Sequence, residues 1–210
     1  MKVQANSIST PILNHCITAT QDVILLHGLF GNLSNWKKAE QYLTLKHRVL
    51  VPELPLFDSF LGGNQLNKLV LFLESYIEKN HIQQPVLIGN SLGGHVALLY
   101  TLKHPDKVSK LVLAGSSGLY ENTFGGSFPR VKDYNYIREK VAAVFDRKEV
   151  VDNAMVDHVF EIVQHKLKVL SIIGLARDAQ KQNLKDHLPF IKVPVLLIWG
   201  LQDIVTPPAV

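Results

Sequence analysis

This sequence predicts an α/β fold, a mostly parallel sheet with helices on both faces, and three observations carry the prediction. Five short apolar runs bounded by Gly, Pro or Asn recur along the 210 residues. Stretches with helical spacing separate most of them, the alternation that a parallel sheet with crossover helices requires. The composition, 47% hydrophobic and 19% charged, is that of a chain able to bury a core.

The first run, Val23-Ile24-Leu25-Leu26, ends at His27-Gly28, and the second, Val49-Leu50-Val51, is stopped by Pro52. Pro85-Val86-Leu87-Ile88-Gly89, Leu111-Val112-Leu113-Ala114 and Val195-Leu196-Leu197-Ile198-Trp199 complete the set. Strands buried on both faces read as near-continuous Val, Ile and Leu in this way. Leu66, Leu69, Val70, Leu73 and Ile77 predict a crossover helix between the second and third runs. Val96, Leu99 and Tyr100 predict another between the third and fourth, ending before Pro105.

After Gly118 the rhythm changes. Ile137, Val141, Val144 and Phe145 form one stripe, and Val151, Met155, Val159, Ile162 and Val163 a second. Leu167, Leu170 and Ile173 begin a third. Three helices exceed an ordinary crossover, so they predict a lid. The expected division is a core of residues 1–118 and 189–210 with a helical cap over 119–188, opened by a loop containing Gly125, Gly126, Ser127 and Pro129.

Several function classes are set aside. The net charge of +4 comes from scattered Lys and Arg, whose longest clusters are Lys37-Lys38 and Lys46-His47-Arg48, so these read as solvated surface and no nucleic-acid partner is expected. Gly62-Gly63 lacks the spacing of a phosphate loop. No His or Cys cluster has metal-ligand spacing, so no metal and no cofactor are expected. The single Cys16 offers no intrachain disulfide and reads as a packed side chain. Residues 1–20 lack the apolar core of a signal peptide and no run is long enough to span a bilayer, so a cytoplasmic protein without membrane contact is expected.

The chemistry concentrates at three places. Gly89-Asn90-Ser91-Leu92-Gly93-Gly94 matches G-x-S-x-G directly after one strand and before a helix. A serine on that sharp turn has strained torsions and small neighbours, and helix amides face its reacting oxygen. His27-Gly28-Leu29-Phe30-Gly31 follows the first strand, where an oxyanion hole customarily draws one of its two amides. Leu29 is expected to supply it, with Phe30 as the near alternative, and Leu92 the other. His27 reads as a loop brace and not as a general base. Asp203 follows the fifth strand, where a carboxylate can orient an imidazole. A turn-capping aspartate is the plainer reading, and the order Ser91 then Asp203 favours the catalytic one.

With these motifs in view the chain resembles the α/β-hydrolase superfamily, specifically its small capped members: carboxylesterases, epoxide-hydrolase-like enzymes and carbon-carbon bond hydrolases. The resemblance runs over nearly the whole chain. It implies Ser91 as nucleophile, Asp203 as the acid, and a small-molecule acyl substrate, largely apolar, cleaved through an acyl-enzyme. Asn90 is similar to the residue before the nucleophile in carbon-carbon hydrolases acting on ring-cleavage products, and Phe30 and Asn90 are expected to contact substrate. Aromatics near the start of the cap, Phe124, Phe128, Tyr134, Tyr136 and Phe145, either line an apolar pocket or pack the lid. In the superfamily the histidine follows the acid after one further helix and strand. All nine histidines here precede Asp203, so the catalytic histidine is expected beyond residue 210, with the last strand and helix. On that expectation the 210 residues alone retain only a residual rate, about 10³ to 10⁴ over water. A naturally short homologue that has lost its base is the alternative. A non-catalytic small-molecule sensor on the same scaffold is the rival from another class.

Overall fold

The computed structural model describes residues 21–31, 36–57, 64–120 and 130–209. The Gly62-Gly63 pair, Cys16, the loop with Gly125 and Gly126, and the aromatics Phe124 and Phe128 lie outside the described residues. Five strands form one sheet: β1 (Asp22–Leu26), β2 (Arg48–Leu50), β3 (Val86–Asn90), β4 (Lys110–Ala114) and β5 (Val195–Ile198). Their spatial order is β2-β1-β3-β4-β5 and every pairing is parallel. Each predicted apolar run is therefore a strand. Parallel neighbours need crossovers, and the chain supplies α1 (Lys37–Leu43), α2 (Gln65–Lys79) and α3 (Leu92–Lys103) between the first four strands.

The side chain of Asn64 starts α2 by accepting the Asn67 N–H at 3.0 Å, which satisfies one of the helix's orphan donors. Its apolar positions, Leu66, Leu69, Val70, Leu73 and Ile77, are all buried. They join Ile24, Leu26, Leu87, Val96 and Leu111 in the main core, where each fully buried aliphatic side chain contributes about 1.5–3 kcal/mol. α3 is buried along most of its length, as a helix directly behind the central strands must be. It ends at Lys103, before Pro105. α1 had no apolar stripe to reveal it: KKAEQYL buries no residue.

Three helices follow β4, as the stripes predicted: α4 (Tyr134–Ala142), α5 (Asn153–Gln164) and α6 (Lys166–Lys181). Asp133 and Asp152 cap the first two by accepting the Tyr136 and Met155 amides. α4 and α5 form their own small core of Ile137, Val156, Val159 and Val163. α6 behaves differently. Leu167, Leu170 and Ile173, the residues that marked it in the sequence, are exposed, and the buried face is Ser171, Ile172, Leu175 and Ala179. Leu175 and Ala179 belong to the main core with α2. The dock is polar as well: the Asp178 carboxylate accepts the Gln65 N–H at the start of α2, at 2.7 Å.

β5 is an edge strand of this sheet, and its four residues are 43% to 62% exposed. Among the described residues no helix is long and apolar enough to cross a membrane.

Candidate active site

All the strands are parallel, so the segments leaving their carboxyl ends gather on one side of the sheet, where α/β proteins build their sites. Ser91 sits between β3 and α3 with φ +50° and ψ −120°, an unusual region for any residue with a Cβ. Such a backbone costs on the order of 1–3 kcal/mol and persists only when its surroundings over-determine it. They do. The Ser91 N–H donates to the Ala114 carbonyl at 3.2 Å, and the Ser91 carbonyl accepts the amides of Gly94, His95 and Ser117 at 2.9 to 3.2 Å.

Close approach explains the glycines of the elbow. A Cβ at Gly93 would overlap the Leu26 carbonyl oxygen and stand 2.7 Å from that of His27, so only a bare backbone lets α3 start against the end of β1. A Cβ at Gly89 would lie 2.5 Å from the Gly93 oxygen. Leu92, the first residue of α3, has a buried side chain, and its amide has no acceptor within the helix.

The loop after β1 is locked from beneath. The His27 Nε2 accepts the Leu54 N–H at 3.0 Å, which leaves the proton on Nδ1, 2.9 Å from the Gly28 carbonyl that accepts it. Burial lowers the pKa of this histidine, with Gly28 and Glu53 opposing the shift. It is neutral and fully engaged, so it braces the loop. The Gly31 N–H donates to the Gly28 carbonyl at 3.0 Å, closing a turn whose central residues are Leu29 and Phe30. A Cβ on Gly28 would lie 3.3 Å from the Ser91 Cβ, which puts this turn beside the serine. Leu29 packs on the main core, whereas Phe30 packs on the α4–α5 cluster. The Asn90 side chain donates to the Ala114 carbonyl at 3.0 Å, so its amide ties β3 to β4.

Asp203 caps its own turn. Its Oδ1 accepts the amides of Val205 and Thr206 at 2.9 Å each, and its Oδ2 accepts the Thr206 hydroxyl at 3.1 Å. The plainer reading thus describes a real structural role, though a carboxylate offers about four lone-pair sites and capping does not exhaust them. A Cβ on Gly115 would lie 3.0 Å from Oδ2, and Gly115 follows the Ala114 that holds the Ser91 amide. Ser91, the Gly28–Gly31 turn and Asp203 therefore share one end of the sheet. Sequence reasoning missed the segment joining them, Gly115-Ser116-Ser117-Gly118, whose signal is a run of small residues directly after a buried strand.

Among the described residues no histidine ring hydrogen-bonds Ser91 or Asp203. His95 is fully buried beside Gly118, and burial lowers its pKa from 6.5 to about 4, partly offset by the Gln182 backbone. His104 pairs with Glu74 at 2.5 Å, on the far end of α3. The aromatics Tyr134 and Tyr136 pack against the α4–α5 cluster, and Tyr134 meets Phe160 edge-on at 5.2 Å.

A family model described as the alpha/beta hydrolase fold matches residues 23–147, from β1 through α4. The chain belongs to the α/β-hydrolase family. This hydrolase is similar to the pimeloyl-[acyl-carrier protein] methyl ester esterase of Vibrio vulnificus, at 30% identity over 204 residues, covering 89% of this chain and 77% of the relative. It is also similar to the 2-hydroxy-6-oxononadienedioate/2-hydroxy-6-oxononatrienedioate hydrolase of Escherichia coli, at 24% identity over 212 residues, covering 90% and 73%. Among solved structures it resembles an alpha/beta hydrolase enzyme from the metagenome of Mar Chica lagoon sediments. There the TM-score is 0.69 at 31% identity, covering 90% of this chain and 72% of that one.

Proposed function

We propose that this α/β-hydrolase is a serine hydrolase whose nucleophile is Ser91 and whose substrate is a small or medium, largely apolar carboxylic ester. The observation that carries the reading is the positive φ of Ser91, held by four backbone hydrogen bonds where β3 meets α3. Strain at a serine between a strand and a helix, with φ +50° and ψ −120°, has a use if its hydroxyl must meet a substrate and has none in a plain turn. In this reading Ser91 Oγ attacks the ester carbonyl, and the amides of Leu29 and Leu92 receive the developing oxyanion. An imidazole takes the serine proton and returns it to the leaving alcohol, and water then releases the acid. Asp203 orients that imidazole and stabilises its charged form. His27 and His104 are hydrogen-bonded elsewhere, His95 is fully buried beside Gly118, and among the described residues no histidine ring hydrogen-bonds Ser91 or Asp203, so we place the general base outside the described residues.

The esterase relative supports the ester reading. The dienedioate hydrolase relative supports a second one, carbon-carbon bond cleavage on the same nucleophile; Asn90 does not separate the two, because its amide is engaged with Ala114. The test is fluorophosphonate labelling together with turnover of short-chain aryl esters by the full-length protein. One label per chain, on Ser91, with turnover abolished in Ser91→Ala, is expected. Labelling without turnover across a broad ester panel transfers the reading to a small-molecule sensor, and labelling elsewhere in the chain overturns it.

A further inference from the structure

In the Gly28–Gly31 turn, two adjacent side chains anchor in different hydrophobic bodies. Leu29 packs on the main core, and Phe30 packs on the cluster that α4 and α5 build between themselves. The turn has no other freedom on its inner side. His27 is bonded at both ring nitrogens, Gly31 closes onto Gly28, and Gly28 abuts Asn90 and Ser91. The contact of the turn with the α4–α5 cluster runs through Phe30.

We propose that Phe30 is a positioning residue that couples the seating of the α4–α5 pair to the turn beside Ser91, so that the amide of Leu29 reaches its working position only when the cap is seated. The inference rests on the reading of that turn as the oxyanion loop. Leu29 and Phe30 share one planar peptide, with only φ and ψ soft at each residue, so a shift of the Phe30 anchor is passed to Leu29 through the backbone. Preorganised amides of this kind act in the transition state and contribute little to ground-state binding. Loss of the anchor is thus expected to lower kcat and to leave KM nearly unchanged.

Two measurements on the full-length protein test this separately. Hydrogen exchange of the Gly31 amide reports closure of the turn without requiring turnover. Phe30→Ala, and independently the cap-side variant Val159→Ala, are expected to accelerate it by about tenfold while the Leu25 and Ile88 amides stay within about twofold of wild type. Phe30→Leu, which keeps the apolar contact, is expected to restore it. With aryl esters, Phe30→Ala is expected to lower kcat about tenfold with KM within about threefold. Unchanged Gly31 exchange in Val159→Ala, or failure of Phe30→Leu to rescue, overturns the coupling whatever the turnover. Coupled exchange in a protein that hydrolyses no ester leaves the mechanical link standing and removes the oxyanion reading instead.

Discussion

β1 and β5 are nearly the same in composition and opposite in circumstance. Val23, Ile24, Leu25 and Leu26 are at most 2% exposed, whereas Val195, Leu196, Leu197 and Ile198 are at least 43% exposed. The difference lies in the neighbours. β1 has β2 on one side and β3 on the other, and α3 starts against its carboxyl end; β5 has only β4. A continuous apolar run therefore encodes a strand that is able to be buried on both faces, and the rest of the fold decides whether it is. The consequence for the site is direct. Ser91 and the Gly28–Gly31 turn stand on the half of the sheet that these 210 residues cover, and Asp203 follows the strand that they leave exposed.

The contrast is testable where it is strongest, at the contact between β1 and the elbow. Gly93→Ala is expected to cost about 4 kcal/mol or more, because the new Cβ has to displace backbone atoms of Leu26 and His27, none of which can move away as a flexible side-chain end could. Chemical denaturation measures it, and a loss under about 1 kcal/mol would show that the elbow is looser than its geometry.

Next in size is a matched pair of truncations. Leu25→Ala removes a side chain with no exposure and is expected to cost about 2–5 kcal/mol. Leu197→Ala removes one that is already 62% exposed and is expected to cost under about 1 kcal/mol in the same 210 residues. Equal losses would mean that β5 is covered in solution and would erase the comparison.

The third effect is a dependence on pH. His95 lies behind the elbow with a pKa of about 4 in the folded protein, below its ordinary 6.5. As pH falls below 6.5 the unfolded chain takes up a proton that the folded one refuses. Stability is thus complete above pH 6.5, declines as pH drops, and stops declining from this cause below about 4, for a total of about 3 kcal/mol. His27, whose pKa burial also lowers, adds loss of the same sign. Denaturation midpoints from pH 7.5 to 4 read the slope, and His95→Gln is expected to flatten much of it. A slope unchanged in that variant would assign the acid sensitivity to other groups.

How legible each part was follows from how local its cause is. The elbow was readable because its requirements fall within six consecutive residues: a serine at positive φ, and glycines where two backbones meet. The Leu66 to Ile77 stripe was readable because one helix presents one face to one core. α6 was found, but by the wrong residues: Leu167, Leu170 and Ile173 mark a helix that buries Leu175 and Ala179, because its partner is α2 and the Asp178 dock turns it that way. α1 left no stripe because it buries nothing. Asp203 was legible as a carboxylate after a strand and as a turn cap, the role its bonds to Val205 and Thr206 fill, but its approach to Gly115 was not legible.

Alone, the sequence determined the five strands, the crossovers α2 and α3, the three helices after β4, and the strained serine turn, since each depends on propensities and clearances between residues near one another in the chain. Only the tertiary structure decided which apolar runs are covered, which face α6 buries, and that Phe30 leaves its turn for the α4–α5 cluster while Leu29 stays with the core. Those outcomes depend on contacts between distant segments, and an apolar side chain carries no label for which of two hydrophobic surfaces it will meet.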